Sequence, residues 1–291
     1  MTSYTRRFFI TAAAVIGFST LAALPVDAQA ASVVEAARNA LPDPLKSSST
    51  LKVATSLQWP PFAYMDEKGE MEGIDIRLVR LLGEKLGLKV EIEDVKFPSI
   101  VPGVSNGRYD VGVNQIGITP ERAKVADFVP YLISGFSLLV RKGTTGIDVY
   151  NLCGRTLALT QGSGQIPVAE KLSAQCVQEG KKEISFLFFP NSADTYLALS
   201  NGRGDGFLVG KPAGVYIAKS NPKLEMTTSV LKDSQTIAGI VIAKGNTALQ
   251  KALMVALEDA VADGSYHKIL EEFGVPDAAL TVEQIHEYAK Q

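Results

Sequence analysis

A six-residue string occurs twice in the chain, and this repeat limits the possible architecture more than any other feature. Ser105–Asp110 reads Ser-Asn-Gly-Arg-Tyr-Asp, and 95 positions later Ser200–Asp205 reads Ser-Asn-Gly-Arg-Gly-Asp. In both copies a glycine suited to ending a helix precedes an aspartate and a short apolar run, which is typical of a helix-to-strand junction. One interpretation is a common helix-stop sequence used twice by chance. Because the order of elements around both copies is the same, we predict two similarly built lobes.

Alternating strand and helix patterns on both sides of the repeat predict an α/β fold. Leu51–Thr55 alternates like a strand, and residues 74–86 carry an apolar stripe typical of a helix. The second half repeats this order of elements before the strand-like segment 237–243. If that segment returns to the first lobe, two extended crossings, near Val140 and near Ile237, join the lobes and form a hinge.

Five parts of the chain are predicted from these patterns. They are a signal peptide in residues 1–30, an N-terminal leader without a core-facing pattern in 31–50, a first lobe formed by 51–141 and 237–275, a second lobe in 142–236, and a C-terminal tail in 276–291. The first lobe is therefore expected to be discontinuous in sequence.

Residues 1–30 have the features of an export signal. Arg6 and Arg7 precede an apolar stretch, which is followed by the small-residue site Ala28-Gln29-Ala30. The two arginines fit an ordinary signal peptide and a twin-arginine signal equally well. A twin-arginine signal exports cargo that is already folded. No cysteine follows the site, and no later apolar segment reaches about 20 residues. We therefore expect a secreted, soluble periplasmic protein without a lipid anchor.

Cys153 and Cys176 are the only cysteines of the chain. In an oxidising compartment an isolated pair first indicates a disulfide, with two free thiols or half of a metal site as alternatives. The two histidines, His267 and His286, lie far from both cysteines in the sequence, which disfavours the metal site. We therefore predict a disulfide and no metal.

The charges of the chain are nearly balanced, with 29 basic and 31 acidic residues. This balance gives no indication of a nucleic acid or an anionic membrane surface as a partner. The glycine-rich string Gly202–Gly206 precedes a predicted strand, whereas a dinucleotide-binding fingerprint follows a strand and opens a helix. Because zinc and phosphate-loop patterns are also missing, we expect no cofactor.

Thr119–Arg122 opens a predicted helix with an arginine in its first turn. Thr119 is a suitable N-cap residue, and Pro120 suits the first helical position. A helix N-terminus favours acidic groups, so a cation there needs a partner or a function. Arg122 could simply reach Asp127 or solvent. Alternatively, its guanidinium beside free backbone N–H groups would clamp a carboxylate.

A glycine-flanked turn stands at the corresponding junction of the second lobe. Residues 160–165 read Thr-Gln-Gly-Ser-Gly-Gln and lead into a predicted helix. Most such turns only reverse the direction of the chain. Opposite Arg122 across a cleft, however, the backbone donors, the hydroxyl and the amide would form the other half of an anion site.

The chain from about Leu51 to Gly274 resembles the solute-binding protein family of polar amino-acid ABC importers. The matching strings, in family order, are Trp59–Phe62, Gly73–Ile76, Gly107–Asp110, Thr119–Arg122 with Asp127-Phe128, Gln161–Ser163 and Asp263–Tyr266. The resemblance implies the periplasmic binding protein type II fold, in which two α/β lobes with mixed sheets are joined by a two-strand hinge. It also implies a monomer that works with an inner-membrane ABC permease and its ATPase.

The same resemblance implies which residues bind the ligand. Arg122 takes a carboxylate, while Trp59 and Phe97 stack on the ligand's side chain. The remaining implied positions are Asn114, Gln115 and Gly117 in the first lobe and Ser163, Gly164 and Gln165 in the second.

Two positions depart from the family pattern. The family usually has an acid five residues beyond Asp205, which holds the ligand's α-ammonium group, and this chain has Gly210 there, followed by Lys211. Where members that bind basic amino acids carry an acid after the first strand, this chain has Ser56. Burying an unpaired ammonium would cost several kcal/mol. We therefore expect a carboxylate whose amine is absent or modified.

These observations predict a protein that captures an amino-acid-like or carboxylate-bearing small molecule by hinge closure and does no chemistry on it. One alternative is an exported lyase or dehydratase on the same fold, similar to cyclohexadienyl dehydratase. Such an enzyme would need a general acid or base in the cleft, for which Glu70 or Glu72 would have to fold inward. The other alternative is a ligand-sensing module for a membrane receptor.

Overall fold

The computed structural model describes residues 1–2, 32–161, 163–190, 192–232 and 234–290. The predicted signal peptide, from its two arginines to its cleavage site, lies outside the described residues. Residues 31–291 form one compact unit. Within it, two five-stranded mixed sheets form the two lobes of the predicted α/β fold.

The first lobe takes its elements from both ends of this unit. Its N-terminal elements are α1 (Glu35–Ala40), α2 (Asp43–Ser48), β1 (Thr50–Thr55), β2 (Gln58–Trp59), β3 (Ala63–Met65), β4 (Met71–Glu72), α3 (Ile74–Leu86), β5 (Lys89–Asp94), α4 (Ile100–Ser105), β6 (Val111–Gly112), α5 (Pro120–Ala123) and β7 (Ala126–Ser134). Helix α3 buries Leu78, Leu82 and Leu86 on one face and ends at Gly87, whose φ of 66° is left-handed. The stripe seen in the sequence is therefore the core-facing side of α3.

The second lobe follows without a long connection. Its elements are β8 (Phe136–Arg141), β9 (Thr156–Thr160), α6 (Gln165–Gln178), β10 (Ser185–Phe189), α7 (Ser192–Ser200), β11 (Gly206–Gly210), α8 (Lys211–Ser220) and β12 (Leu224–Val230). The strand order is β10-β9-β11-β8-β12. The predicted disulfide is confirmed, because Cys153 and Cys176 are joined with an S–S distance of 2.08 Å. It ties the segment before β9 to α6.

The chain then returns to the first lobe. The returning elements are β13 (Thr236–Ala243), α9 (Thr247–Ala262), α10 (Ser265–Glu272) and α11 (Val282–Tyr288). Strand β13 completes a sheet of order β5-β1-β6-β13-β7, in which it is antiparallel to both neighbours. In the described part of the chain, no helix is long and apolar enough to cross a membrane.

The two lobes are joined by two crossings, as predicted for a hinge. The first crossing is Gly135, between β7 and β8, and the second is the segment between Val230 and Thr236. Strand β8 pairs with β11 and β12 and therefore belongs to the second lobe. The chain thus passes from the first sheet to the second before β8. The lobe boundary expected after residue 141 lies at the end of β8 instead. A Cβ atom on Gly135 would lie 2.6 Å from a Val230 methyl carbon, so the crossings pack closely there.

The two flanking segments are more structured than the sequence predicted. Residues 31–50, expected to be a leader without a core-facing pattern, contain α1 and α2, and Ala37 and Leu41 are buried in the first-lobe core. That expectation is wrong, because a helix of one or two turns shows too few apolar residues for a period to be seen. The C-terminal tail also joins this core through Leu280 and Ile285.

The repeated hexapeptide forms the same junction in both lobes. Gly107 and Gly202 have left-handed φ angles of 72° and 84° and follow the ends of α4 and α7. The Asp110 carboxylate accepts a hydrogen bond from Lys52 N at 2.8 Å, and Asp205 accepts one from Thr156 N at 2.8 Å. Each aspartate thereby fastens its junction to the first parallel strand of its lobe.

Candidate ligand-binding cleft

The carboxyl ends of the parallel strands meet where the chain crosses between the lobes. Strands β1 and β6 are parallel in the first sheet, and β9 and β11 are parallel in the second. Strand β7 runs in the direction of β6 and leads through Gly135 to Phe136, which pairs with Gly210 at the end of β11. In open α/β sheets, ligands bind at such carboxyl edges. All the site residues predicted from the sequence lie at the ends of these strands or in the loops and helix starts beside them.

Arg122 lies in the first turn of α5, on the first-lobe side of this region. Thr119 caps the helix, its hydroxyl accepting a hydrogen bond from Arg122 N at 3.3 Å. One guanidinium nitrogen donates to Gly117 O at 2.8 Å, and the guanidinium carbon lies 5.9 Å from the centre of the Phe97 ring. Burial lowers the pKa of Arg122. Asp127, considered as a partner from the sequence, binds Lys244 instead at 2.7 Å.

Arg122 therefore carries a charge that no described residue balances. Within the described ranges, Arg122 forms no ion pair. Burial lowers its pKa, and no carboxylate among these residues raises it again. A guanidinium donates up to five hydrogen bonds, and one is used by Gly117. The remaining donors suit a planar carboxylate.

Gln115 lies in the same loop and is held by hydrogen bonds at its backbone and at its side chain. Its φ of 47° is left-handed, which is uncommon for a residue with a side chain. Its backbone N–H donates to Asp75 Oδ2 at 2.7 Å, and Tyr131 donates its hydroxyl to Asp75 Oδ1 at 2.7 Å. On the side-chain end, Trp59 Nε1 donates to Gln115 Oε1 at 2.9 Å. Both ends of Gln115 are thus fixed.

Asp75 and Tyr131 were not predicted as site residues. Asp75 is fully buried, and this burial raises its pKa to about 6, against the lowering effect of the hydrogen bonds from Tyr131 and Gln115. The sequence feature that could have identified Asp75 is an acidic residue between Ile74 and Ile76 at the start of α3. All three residues are buried in the structure. Its partner Tyr131 could not be identified, because the two lie 56 positions apart.

Asn114 links the ends of two parallel strands. Its amide nitrogen donates to Ser56 O at 2.8 Å and to Thr55 Oγ1 at 3.3 Å. Asn114 and Ser56 are both buried, with 3% and 7% of their surfaces exposed. The structure gives Asn114 a positioning contact, and its direct contact with ligand stays a prediction, as does that of Ser56.

The second-lobe residues lie at the N-terminus of α6. Ser163 and Gly164 precede the helix and Gln165 is its first residue, while Gly162 lies outside the described residues. No side chain caps this helix. The Ser163 hydroxyl is buried and has no hydrogen-bond partner among the residues that the structure describes. A buried hydroxyl at a free helix N-terminus suits an anion that arrives from outside.

Gly210 brings the second lobe against the first. A Cβ atom on Gly210 would lie 3.2 Å from Ser134 Oγ and 3.9 Å from Gln115 Nε2. The neighbouring Lys211 forms an exposed ion pair with Asp277 at 3.3 Å. The Gln115 side chain therefore lies between Trp59 and Gly210.

The predicted residues thus fall into four groups. Trp59 donates to Gln115, whose side chain lies beside Gly210. Asn114 donates to Ser56, and Arg122 contacts Gly117 and Phe97. The fourth group is Ser163, Gly164 and Gln165, which share the start of α6. In the described part of the chain, no cluster of three or more acidic, histidine or cysteine side chains could hold a metal ion.

Known proteins match most of the chain. The family described as bacterial extracellular solute-binding proteins, family 3, matches residues 51–276. The ABC transporter glutamine-binding protein GlnH of Bacillus subtilis is 31% identical over 217 residues, which cover 72% of this chain and 76% of that protein. An ancestral arginine-binding protein solved with bound arginine is 30% identical with a TM-score of 0.66, covering 78% of this chain and 98% of its own.

A further solved structure bears on catalysis. It is an ancestral amino acid-binding protein described as a precursor of cyclohexadienyl dehydratase, 27% identical with a TM-score of 0.65. The match covers 79% of this chain and 97% of that protein. Chains similar to this one therefore include binding proteins and a protein related to an enzyme.

Proposed function

Because this chain belongs to the bacterial extracellular solute-binding proteins of family 3, we propose that it captures a carboxylate-bearing, amino-acid-like solute for an ABC importer. The resemblance found in the sequence and the two-lobed fold with a two-strand hinge are confirmed. Relatives named for glutamine and arginine support an amino-acid-like solute. The proposal extends to a periplasmic monomer without a lipid anchor, which delivers its solute to an inner-membrane permease and its ATPase.

The observation that carries this proposal is the half-buried guanidinium of Arg122. A buried cation without a counter-ion is costly, and a ligand carboxylate would balance it through two parallel hydrogen bonds. The buried Ser163 hydroxyl and the uncapped start of α6 offer donors for the same anion from the second lobe. A ligand held by both lobes favours the closed state, because only that state completes both sets of contacts.

The arrangement of the acids favours binding over catalysis. Both oxygens of Asp75 already accept hydrogen bonds, and its carboxyl group is fully buried. Glu72 binds Arg77 at 2.6 Å and accepts from Gly73 N at 2.7 Å, and Glu70 is exposed. A lyase or dehydratase needs a general acid or base within reach of its substrate. Turnover of prephenate by the purified protein would contradict the proposal.

The test measures ligand-dependent thermal stability in the Arg122→Ala variant. A ligand at 100 times its Kd stabilises the folded state by about 2.7 kcal/mol. For a chain of this size that corresponds to a rise in Tm of roughly 5–10 °C. We expect a panel of amino acids and related carboxylates to contain compounds that raise the Tm of the unaltered protein and leave that of Arg122→Ala unchanged.

A matched control is Arg108→Ala. Arg108 is an exposed arginine in the first copy of the repeat, before β6, where it pairs with Glu93. This variant should keep the full ligand-dependent shift. If Arg122→Ala keeps the shift as well, the carboxylate is held elsewhere and the proposal is wrong.

A further inference from the structure

Helix α8 contacts both lobes from its position in the second lobe. It packs on β8, β11 and β12 of its own sheet, and the residues that it buries include Ala213, Gly214 and Ile217. Because an α-helix has 3.6 residues per turn, Val215 and Tyr216 lie on the other side of the helix. Both are half-buried, so this side is also covered, and its neighbours belong to the first lobe.

One of these neighbours is the segment after α10, which a cavity of about 270 Å³ separates from α8. Val215 lines the cavity from the second lobe, and Val275 and Ala278 line it from the first. Gly135 of the first crossing lines it as well, so the cavity lies beside the hinge. Atoms that border an empty space lack packing partners on that side, so the walls of the cavity hold the lobes together only weakly.

An ion pair spans the same region. Lys211 of α8 binds Asp277 of the first lobe at 3.3 Å, and their side chains are 44% and 82% exposed. Ion pairs as exposed as this one contribute little to stability, because water and salt screen them. Lys211 N also donates to Gly135 O at 3.0 Å, which fastens the start of α8 to the crossing itself. The ion pair therefore lies near the pivot of the hinge and adds little to the contact between the lobes.

Two tyrosines from different lobes meet farther along α8. Tyr64 lies in β3 of the first lobe and Tyr216 lies in α8, and their ring centroids are 5.8 Å apart with the planes inclined by 49°. Aromatic pairs attract each other at centroid distances of about 4.5–7 Å. Burial, together with the nearby phenol of Tyr216, raises the pKa of Tyr64 to about 12. The tyrosine pair is therefore a direct and partly dehydrated contact between the lobes.

The position of Tyr216 makes this contact sensitive to the hinge. Tyr216 is five residues beyond Lys211, which places it roughly 7.5 Å farther along the helix axis from the crossing at Gly135. A rotation of the second lobe about the crossing therefore moves Tyr216 farther than it moves Lys211. Because the attraction between the rings is lost beyond about 7 Å, a small separation of the lobes breaks the pair.

We propose that Tyr64 and Tyr216 form a clasp that holds the two lobes together and thereby increases the affinity for the solute through lobe closure. Its effect on the solute rests on the proposed function, whereas the clasp itself does not. A contact made only when the lobes meet stabilises the closed arrangement, so the solute supplies less of the free energy of closure. The strength of one aromatic pair corresponds to about a two- to tenfold change in the ratio of closed to open protein.

Small-angle X-ray scattering without added solute tests the clasp on the chain that lacks the predicted signal peptide. A compact chain of this length has a radius of gyration of about 18 Å. Both tyrosines are half-buried, so neither Tyr64→Ala nor Tyr216→Ala removes a fully buried side chain. We expect both alanine variants to have a larger radius of gyration than the unaltered protein, and Tyr216→Phe, which keeps the ring, to match it. An unchanged radius in both alanine variants would overturn the clasp.

The matched control is Asp277→Asn, which breaks the other contact between α8 and the first lobe. Because its ion pair is exposed, this variant should keep the radius of gyration of the unaltered protein. An increase in Asp277→Asn as large as that in Tyr216→Ala would show that any contact of α8 has the same effect, and the assignment to the tyrosines would be wrong.

A double-mutant cycle then measures the effect on the solute, with the panel compound that raises the Tm most as the probe in isothermal titration calorimetry. Tyr64→Ala and Tyr216→Ala should each raise the Kd by about two- to tenfold, and the double variant should raise it no further than the weaker single variant. Additive losses would show that the two rings do not act as a pair. If no panel compound binds, the proposed function fails and the scattering result still decides the clasp. If the clasp fails while binding depends on Arg122, the proposed function stands without it.

Discussion

The buried carboxyl group of Asp75 makes the stability of this protein depend on pH in a direction opposite to that of most carboxylates. Burial raises its pKa from the ordinary value of 3.8 to about 6. The folded state therefore holds a proton on Asp75 between these two pH values, whereas the unfolded state has released it. By linkage, the contribution of this group to the free energy of unfolding decreases as pH rises through that window.

The magnitude follows from the size of the shift. About two pKa units at 1.36 kcal/mol per unit amount to a loss on the order of 3 kcal/mol between pH 4 and pH 7. In Asp75→Asn the side chain can still accept from Gln115 N and can donate to the Tyr131 hydroxyl, but it does not titrate. We therefore expect the stability of Asp75→Asn relative to the unaltered protein to improve by about 3 kcal/mol from pH 4 to pH 7.

Urea unfolding at several pH values measures this difference. Subtracting the free energy of unfolding of the unaltered protein from that of Asp75→Asn at each pH removes the contribution of all titrating groups that the two proteins share. The solute that stabilises the unaltered protein should also stabilise Asp75→Asn, since the Gln115 backbone stays in place. In Asp75→Ala the N–H of Gln115 loses its acceptor, and binding should weaken. A stability difference between the asparagine variant and the unaltered protein that stays constant from pH 4 to pH 7 would refute the reasoning.

Three further predictions concern stability and are measured by urea unfolding at pH 7. Replacing Cys153 and Cys176 by serine should lower the free energy of unfolding by roughly 3 kcal/mol, because a loop of this length gains unfolded-state entropy; an unchanged midpoint would contradict it. Lys85 is 1% exposed and binds two aspartates of the first lobe at 2.6 Å each. Lys85→Ala should therefore lower the free energy of unfolding by about 3 kcal/mol. A loss below about 1 kcal/mol would show that these ion pairs contribute little. Gly107→Ala and Gly202→Ala should each cost about 1 kcal/mol because both glycines are left-handed, and a much larger loss at one of them would indicate that the two junctions are not equivalent.

Much of the architecture could be predicted from local patterns. The alternation of strands and helices, the repeated junction and the cap at Thr119 are each encoded within a few neighbouring residues, and the structure contains them. The cysteine pair was predictable because the chain offers no other partner for either thiol. The position of the first crossing was not predictable, because β7 and β8 are both mainly apolar strands and only Gly135 separates them.

The sequence by itself determined the two-lobed α/β fold and the presence of an arginine in the first turn of α5. Only the tertiary structure decided what surrounds that arginine: Asp127 turns to Lys244, Lys211 turns to Asp277, and Gln115 is fixed by Asp75 and Trp59. The physical reason is that a local pattern records which face of an element is buried, whereas a hydrogen bond or ion pair depends on a partner that folding brings from 40 or more positions away. The same holds for Gly210, whose place in the sequence indicates a missing acid but whose neighbours Ser134 and Gln115 are set by the meeting of the two lobes.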